Sequence, residues 1–251
     1  ADSMYLLSLG QQLFDAGYDV ARLNLRDHGE SHHLNAGIFH SCRIAEVVGA
    51  VRELQRQHPG KRLVLAGFSL GGNFCLRVGA RAPAAGIDVS RIVAVCPVID
   101  PEHTLARLET GWALYREYFV WKWRRSLRTK RAAWPDVYHS LDDILELGNL
   151  TEMTHRLACG YGGFPSLPDY LRGYALVGHA LEPLAALRDA RVRIIAADDD
   201  PIIPAADLER IARSPVLTIT RTRYGGHCGF YDGVVGSTWV ERQVLASFDA
   251  G

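Results

Sequence analysis

A short apolar run, a glycine-rich turn and the start of a helix follow one another without a spacer between residues 62 and 82. Arg62-Leu63-Val64-Leu65-Ala66 reads as a buried strand. Gly67-Phe68-Ser69-Leu70-Gly71-Gly72 carries a Gly-x-Ser-x-Gly pattern, and Asn73-Phe74-Cys75-Leu76-Arg77-Val78 opens a helix. A turn this sharp strains the serine backbone. It also lifts the hydroxyl to the end of the sheet, over a helix N-terminus. That placement suits a nucleophilic serine. The bare pattern is weak in a chain with 24 glycines, so its weight comes from the flanking strand and helix. An ordinary strand-to-helix turn built of small residues is the alternative. A phosphate-binding loop fails, because no lysine follows the last glycine.

A serine nucleophile needs a base, and the base needs an orienting acid. The C-terminal third supplies both. Val192–Ala197 reads as a strand that runs into Asp198-Asp199-Asp200-Pro201-Ile202-Ile203-Pro204. Val216–Thr220 reads as another, leading into Tyr224-Gly225-Gly226-His227-Cys228-Gly229-Phe230. Asp200 is the favoured acid, because the chain turns at Pro201 directly after it; Asp199 is the fallback. His227, between glycines, is the candidate base. Taken singly, the aspartates also read as a solvated turn and His227 as a loop histidine without chemistry. Their order and strand-end placement argue against that.

The rest of residues 1–99 alternates helix (3–16), strand (18–25), helix (41–57), strand (62–68), helix (70–82) and strand (91–96), with Asp2 or Ser3 capping the first helix. The core resumes with strand 192–197, helix 205–213, strand 215–222 and a helix over 238–248. This alternation predicts an α/β fold with a mostly parallel sheet covered on both faces. Residues 100–185 interrupt it with a helical pattern and form the expected cap or lid, leaving 1–99 and 186–251 as the core. Apolar content of 48% suffices for a large core, and zero net charge gives no indication of nucleic-acid affinity.

Between Trp112 and Trp134, aromatic residues interleave with Arg116, Lys122, Arg124, Arg125, Arg128, Lys130 and Arg131. One reading is a lid helix with an aromatic core face and a solvated basic face. Another is a wall favouring acyl chains, with the basic face near an anionic head group and peripheral membrane contact through 112–134. A nucleic-acid surface has no accompanying motif. His28, His32, His33 and His40, with Asp27, suggest a metal only loosely, and their spacing matches no zinc pattern. No metal and no cofactor is expected. The five cysteines (42, 75, 96, 159, 228) lack Cys-x-x-Cys spacing. They read as free thiols in a reducing compartment, hence a cytoplasmic protein. No signal peptide or membrane span is apparent.

Gly-Phe-Ser-Leu-Gly-Gly-Asn at 67–73, the Asp199–Pro204 segment and Gly-Gly-His-x-Gly-Phe at 225–230 together resemble the α/β-hydrolases. More narrowly they are similar to the YheT-like hydrolases, relatives of the abhydrolase-domain phospholipases and medium-chain ester synthases. The resemblance implies Ser69 as nucleophile, Asp200 as acid, His227 as base and the Leu70 N–H as one oxyanion donor. It also implies that Arg26–Ser31 follows the fourth strand of that fold, so that the third strand and its oxyanion loop precede residue 1. The sequence is therefore expected to be an N-terminally truncated fragment, with the second oxyanion donor upstream. The implied activity is a serine hydrolase on small-molecule carboxylic esters with hydrophobic acyl groups. Acyl transfer or phospholipid deacylation on the same triad are alternatives, as is a non-catalytic hydrolase-like binding protein.

Overall fold

Alternating apolar positions in the strands decide which helices cover which face of the sheet. In a computed structural model, which describes residues 3–233 and 237–249, four parallel strands form one sheet in the order β1-β2-β3-β4. They are β1 (Leu63–Phe68), β2 (Val89–Val95), β3 (Arg191–Ala197) and β4 (Leu217–Thr222). On β2, Ile92 and Ala94 point to one face, and Val93 and Val95 to the other, all buried. The first face packs beneath α2 (Ile44–Gln57), α3 (Leu70–Ala85) and the 3-10 segment His179–Ala186 through Val47, Leu76, Val78, Leu181, Leu184 and Ile194. The second packs beneath α1 (Met4–Asp15) and α9 (Trp239–Asp249) through Leu9, Leu13, Ile195, Val240, Val244 and Phe248. Helix α3 lies close on the sheet: a Cβ on Gly79 would stand 2.4 Å from Ile92 Cδ1.

The expected strand over 18–25 does not form. A strand needs a ladder partner, and β1, which pairs with β2 on one side, has no neighbour on the other among the described residues. Val20 and Leu23 are left exposed. The helix expected over 205–213 is a 3-10 segment, Ala205–Arg210, after which Ile211 bridges Gly178. Ser3 precedes α1 without a side-chain capping bond, and Asp2 lies outside the described residues.

Between β2 and β3 the alternation is broken by α4 (Pro101–Thr110), α5 (Ala113–Ala133), α6 (Asp142–Glu146), α7 (Leu150–Gly160) and α8 (Leu167–Arg172). Val120, Leu127, Tyr138, Leu141, Ile144, Leu150 and Met153 give these helices a core of their own, which Ile38 joins from the loop before α2. Residues 176–185, expected in the insertion, instead contribute Leu176, Leu181 and Leu184 to the sheet-face core.

Lys130 corrects the idea of a uniformly solvated basic face on α5. Its side chain is 1% exposed, and the ammonium lies 2.7 Å from Asp27 Oδ1. It also donates to the carbonyls of His32, Asn35 and Gly37. Trp134 Nε1 donates to His32 O and Tyr138 Oη to Ala36 O, so the end of α5 and the turn after it together clasp the 27–37 loop. No helix among the described residues is long and apolar enough to cross a membrane.

Candidate active site

The strands deliver their chemistry at their C-terminal ends. Ser69 is the single residue between β1 and α3, held at φ 50°, ψ −121°. A non-glycine residue there stores on the order of 1–3 kcal/mol of strain. The surroundings enforce it: Ser69 N–H donates to Val95 O at 2.8 Å, and Ser69 O accepts from Asn73 N–H at 3.1 Å. Gly67 is required, because a Cβ there would lie 2.4 Å from Gly71 O. Gly71 itself faces open space. Leu70 N–H is the first amide of α3, among those that no helical carbonyl satisfies. Asn73 is fully buried and donates to Val98 O and Tyr174 O at 2.8 Å each, which ties the elbow to the chain after β2.

The three aspartates after β3 point to three different partners. Asp198 pairs with Arg221 at 2.7 Å. Asp199 Oδ1 accepts Gly226 N–H at 2.8 Å, so the fallback acid fastens the histidine loop. Asp200 Oδ1 accepts Ile202 N–H at 2.8 Å and Ile203 N–H at 3.0 Å, and its Oδ2 lies 2.9 Å from His227 Nδ1. Those two amides hold the carboxylate in place, and Pro201 turns the chain so that they reach it.

His227 Nε2 lies 3.0 Å from Ser69 Oγ. With the proton on Nδ1, donated to Asp200, Nε2 is free to accept from the serine hydroxyl; this tautomer is assigned from the partners. The Asp200 side chain is 2% exposed and that of His227 15%, so the acid is sealed while the imidazole meets solvent. The loop bends sharply to bring it there: Gly226, Cys228 and Phe230 all have positive φ. Gly225 leaves room for the Phe230 ring, whose Cε1 would stand 2.5 Å from a Cβ at that position.

Sequence reasoning missed the pair Cys96 and Cys228. Both are free and buried, and their sulfurs lie within 4.8 Å of a ring nitrogen of His227. Contact with Cys96, then burial, pushes the Cys228 thiol well above its ordinary range.

The histidines at 28, 32, 33 and 40 do not converge. Asp27 is used by Lys130 and by Phe39 N–H. His32 Nε2 meets Ser126 Oγ, His28 Nδ1 meets Arg26 O, and His40 packs edge-on against Phe164. Burial pulls His40 down to about 4 and lowers His28 as well. The groups of three ligand-type atoms among the described residues lie elsewhere, at Cys96/His227/Cys228 and Asp100/His103/Asp207.

The α/β-hydrolase-fold family model matches residues 2–234. Phospholipase ABHD3 of Mus musculus is 22% identical over 242 residues, covering 92% of this chain and 55% of that protein. The putative esterase YheT of Escherichia coli K12 is 24% identical over 225 residues, covering 86% and 63%. The chain thus spans a little over half the length of the curated relatives it matches. Among solved structures, a bacterial membrane phospholipase A aligns with TM-score 0.57 at 18% identity, over 99% of this chain and 75% of that one. A lipase-esterase related protein from Clostridium acetobutylicum aligns with TM-score 0.52 at 16% identity, over 97% and 88%. These likenesses concern the fold.

Proposed function

The chain belongs to the α/β-hydrolase fold family, and from that premise we propose that it is a serine hydrolase of carboxylic esters. The carrying observation is the unbroken line from Asp200 through His227 to Ser69, ending on a strained serine at a helix N-terminus. Ser69 Oγ attacks the ester carbonyl carbon while His227 Nε2 takes its proton. Asp200 fixes the Nδ1–H tautomer and stabilises the imidazolium. The Leu70 N–H donates to the oxyanion; such a donor contributes roughly 3–4 kcal/mol in the transition state. The C–O bond to the alcohol breaks, and His227 returns the proton to the departing oxygen. Water, deprotonated by His227, then attacks the acyl-enzyme, and the acid leaves with Ser69 restored.

We place the substrate among esters with hydrophobic acyl groups, and the protein in the cytoplasm, where its free thiols stay reduced. Deacylation of phospholipid is a second reading, favoured by the outer surface of α5. Trp112, Leu114, Tyr118 and Trp121 are exposed there, with Lys122 over the Tyr118 ring and Arg125 over Trp121. Aromatic and cationic side chains together suit an anionic lipid interface. Binding to phosphatidylserine-containing vesicles that is lost in Trp112→Ala/Trp121→Ala would support it; equal binding by both proteins would remove it.

The primary test is labelling with a fluorophosphonate probe followed by peptide mapping. Modification at Ser69 that disappears in His227→Ala is the expected result. A folded protein that takes up no label at Ser69 would sink the hydrolase reading.

A further inference from the structure

Two buried thiols lie close to the imidazole of His227. Cys96 directly follows β2 and Cys228 directly follows His227, at 0% and 5% exposure. Each holds its backbone in the left-handed region, at φ 42° and 69°. A non-glycine residue adopts that conformation only where its surroundings impose it. The two thiols reach across to each other's segment: Cys96 Sγ lies 3.8 Å from Gly226 O, and Cys228 Sγ lies 4.0 Å from Val95 O. Both sulfurs and a ring nitrogen of His227 fall within 4.8 Å of one another.

Tetrahedral zinc holds sulfur at ~2.3 Å and imidazole nitrogen at ~2.0–2.1 Å, which sets the ligand atoms roughly 3.5–3.8 Å apart. The three groups therefore close on one ion with shifts of about 1 Å. The other ligand-type group offers no such opening, because the Arg210 guanidinium already lies against Asp100, His103 and Asp207.

We propose that Cys96, Cys228 and His227 form a binding site for one thiophilic divalent cation of the zinc class, and that an ion there disables the Ser69–His227 pair. Binding releases the two thiol protons and forms two metal–thiolate bonds. The ion's two positive charges meet two negative ones, so the buried cluster stays neutral. The imidazole is the third ligand and the one that reaches solvent, which gives the ion its route in. Either ring nitrogen ends the triad: coordination through Nε2 removes the acceptor from Ser69, and coordination through Nδ1 removes the donor from Asp200. The inhibitory half rests on the serine-hydrolase reading; the binding half does not.

The test titrates Cd2+ into the metal-free whole chain and follows the ultraviolet thiolate-to-cadmium charge-transfer band. A band that saturates at one ion per chain is expected. Cys96→Ser/Cys228→Ser should lose it and bind Cd2+ at least about 100-fold more weakly, as suits the loss of direct ligands. Circular dichroism checks that the variant is folded; if it is not, Cys228→Ala is read the same way. No band in the wild-type protein, or equal affinity in the folded variant, overturns the site. Zn2+ should also suppress fluorophosphonate labelling of the wild type and spare the cysteine variant. Labelling indifferent to saturating Zn2+ overturns the inhibitory half. Metal-free wild type that never labels overturns the hydrolase reading instead, while the cadmium band still decides the site.

Discussion

Replacing Asp200 with asparagine separates chemistry from folding at this site. Asn Oδ1 can still accept from Ile202 and Ile203 N–H, at the 2.8 and 3.0 Å positions that Asp200 Oδ1 holds now. The amide nitrogen would then face His227 Nδ1, where Oδ2 sits at 2.9 Å. An amide there donates, so Nδ1 must accept and the ring proton moves to Nε2. Nε2 would then present a hydrogen to Ser69 Oγ and could not take one. In serine proteases the equivalent tautomer error lowers turnover ~10,000-fold. That is about 5 kcal/mol of transition-state stabilisation, at 1.36 kcal/mol per decade. Stability should change far less, because both backbone amides keep their acceptor. The assay pairs hydrolysis of a chromogenic short-chain ester with urea unfolding of the same preparations. Asp199→Asn serves as the control; it can still accept from Gly226 N–H and leaves the His227 tautomer alone. An Asp200→Asn enzyme within tenfold of wild type, or an Asp199→Asn enzyme that is the more impaired of the two, would refute the assignment.

The glycines of the serine turn should behave oppositely. Gly67→Ala drives a Cβ into Gly71 backbone and should cost about 3 kcal/mol or more, whereas Gly71→Ala, with open space around its Cβ, should be neutral or gain up to about 1 kcal/mol from helix propensity; chemical denaturation reads both. Lys130→Met leaves the Asp27 carboxylate buried without its cation and should cost about 3–5 kcal/mol, much of it recovered in Asp27→Asn/Lys130→Met. A double-mutant cycle showing no coupling would contradict this. His40, held near 4 by burial, stays neutral in the fold while the unfolded chain takes up a proton below its ordinary value of 6.5. Stability should therefore fall as pH drops from about 6.5 toward 4. His40→Gln should flatten that limb in urea titrations by up to one proton, and an unchanged slope would show that His40 does not carry it.

Ser69, Asp200 and His227, which the fold brings together, could be singled out as candidates in the sequence because each sits on a local pattern: strand, tight turn, polar residue, glycine or proline. The preference for Asp200 over Asp199 rested on Pro201 directly after it; in the structure the turn there brings the Ile202 and Ile203 amides to the Asp200 carboxylate. Other features were not local. Residues 18–25 read like a strand, but strand formation belongs to a pair of segments, and among the described residues these have no partner. Lys130 looked like one more solvated cation because its carboxylate lies 103 residues away in the chain. Cys96 and Cys228 carried no spacing signal, since a turn after β2 and the bend around His227 bring them together. Ile211, expected within a helix, is held by Gly178, a contact that no helical periodicity reports.

The buried ammonium of α5 also limits how that helix can move. A flap hinged at the ends of the insertion would pull Lys130 from Asp27 and from three loop carbonyls each time it swung. Stranding that carboxylate costs about 3–5 kcal/mol, so fewer than roughly one molecule in a hundred would stand open by that motion at any instant. Any outward swing of α5 at low cost must therefore carry residues 27–37 along with the helix as one body. Helix and loop, nearly a hundred residues apart in the chain, would then move as a single rigid part joined by one buried charge.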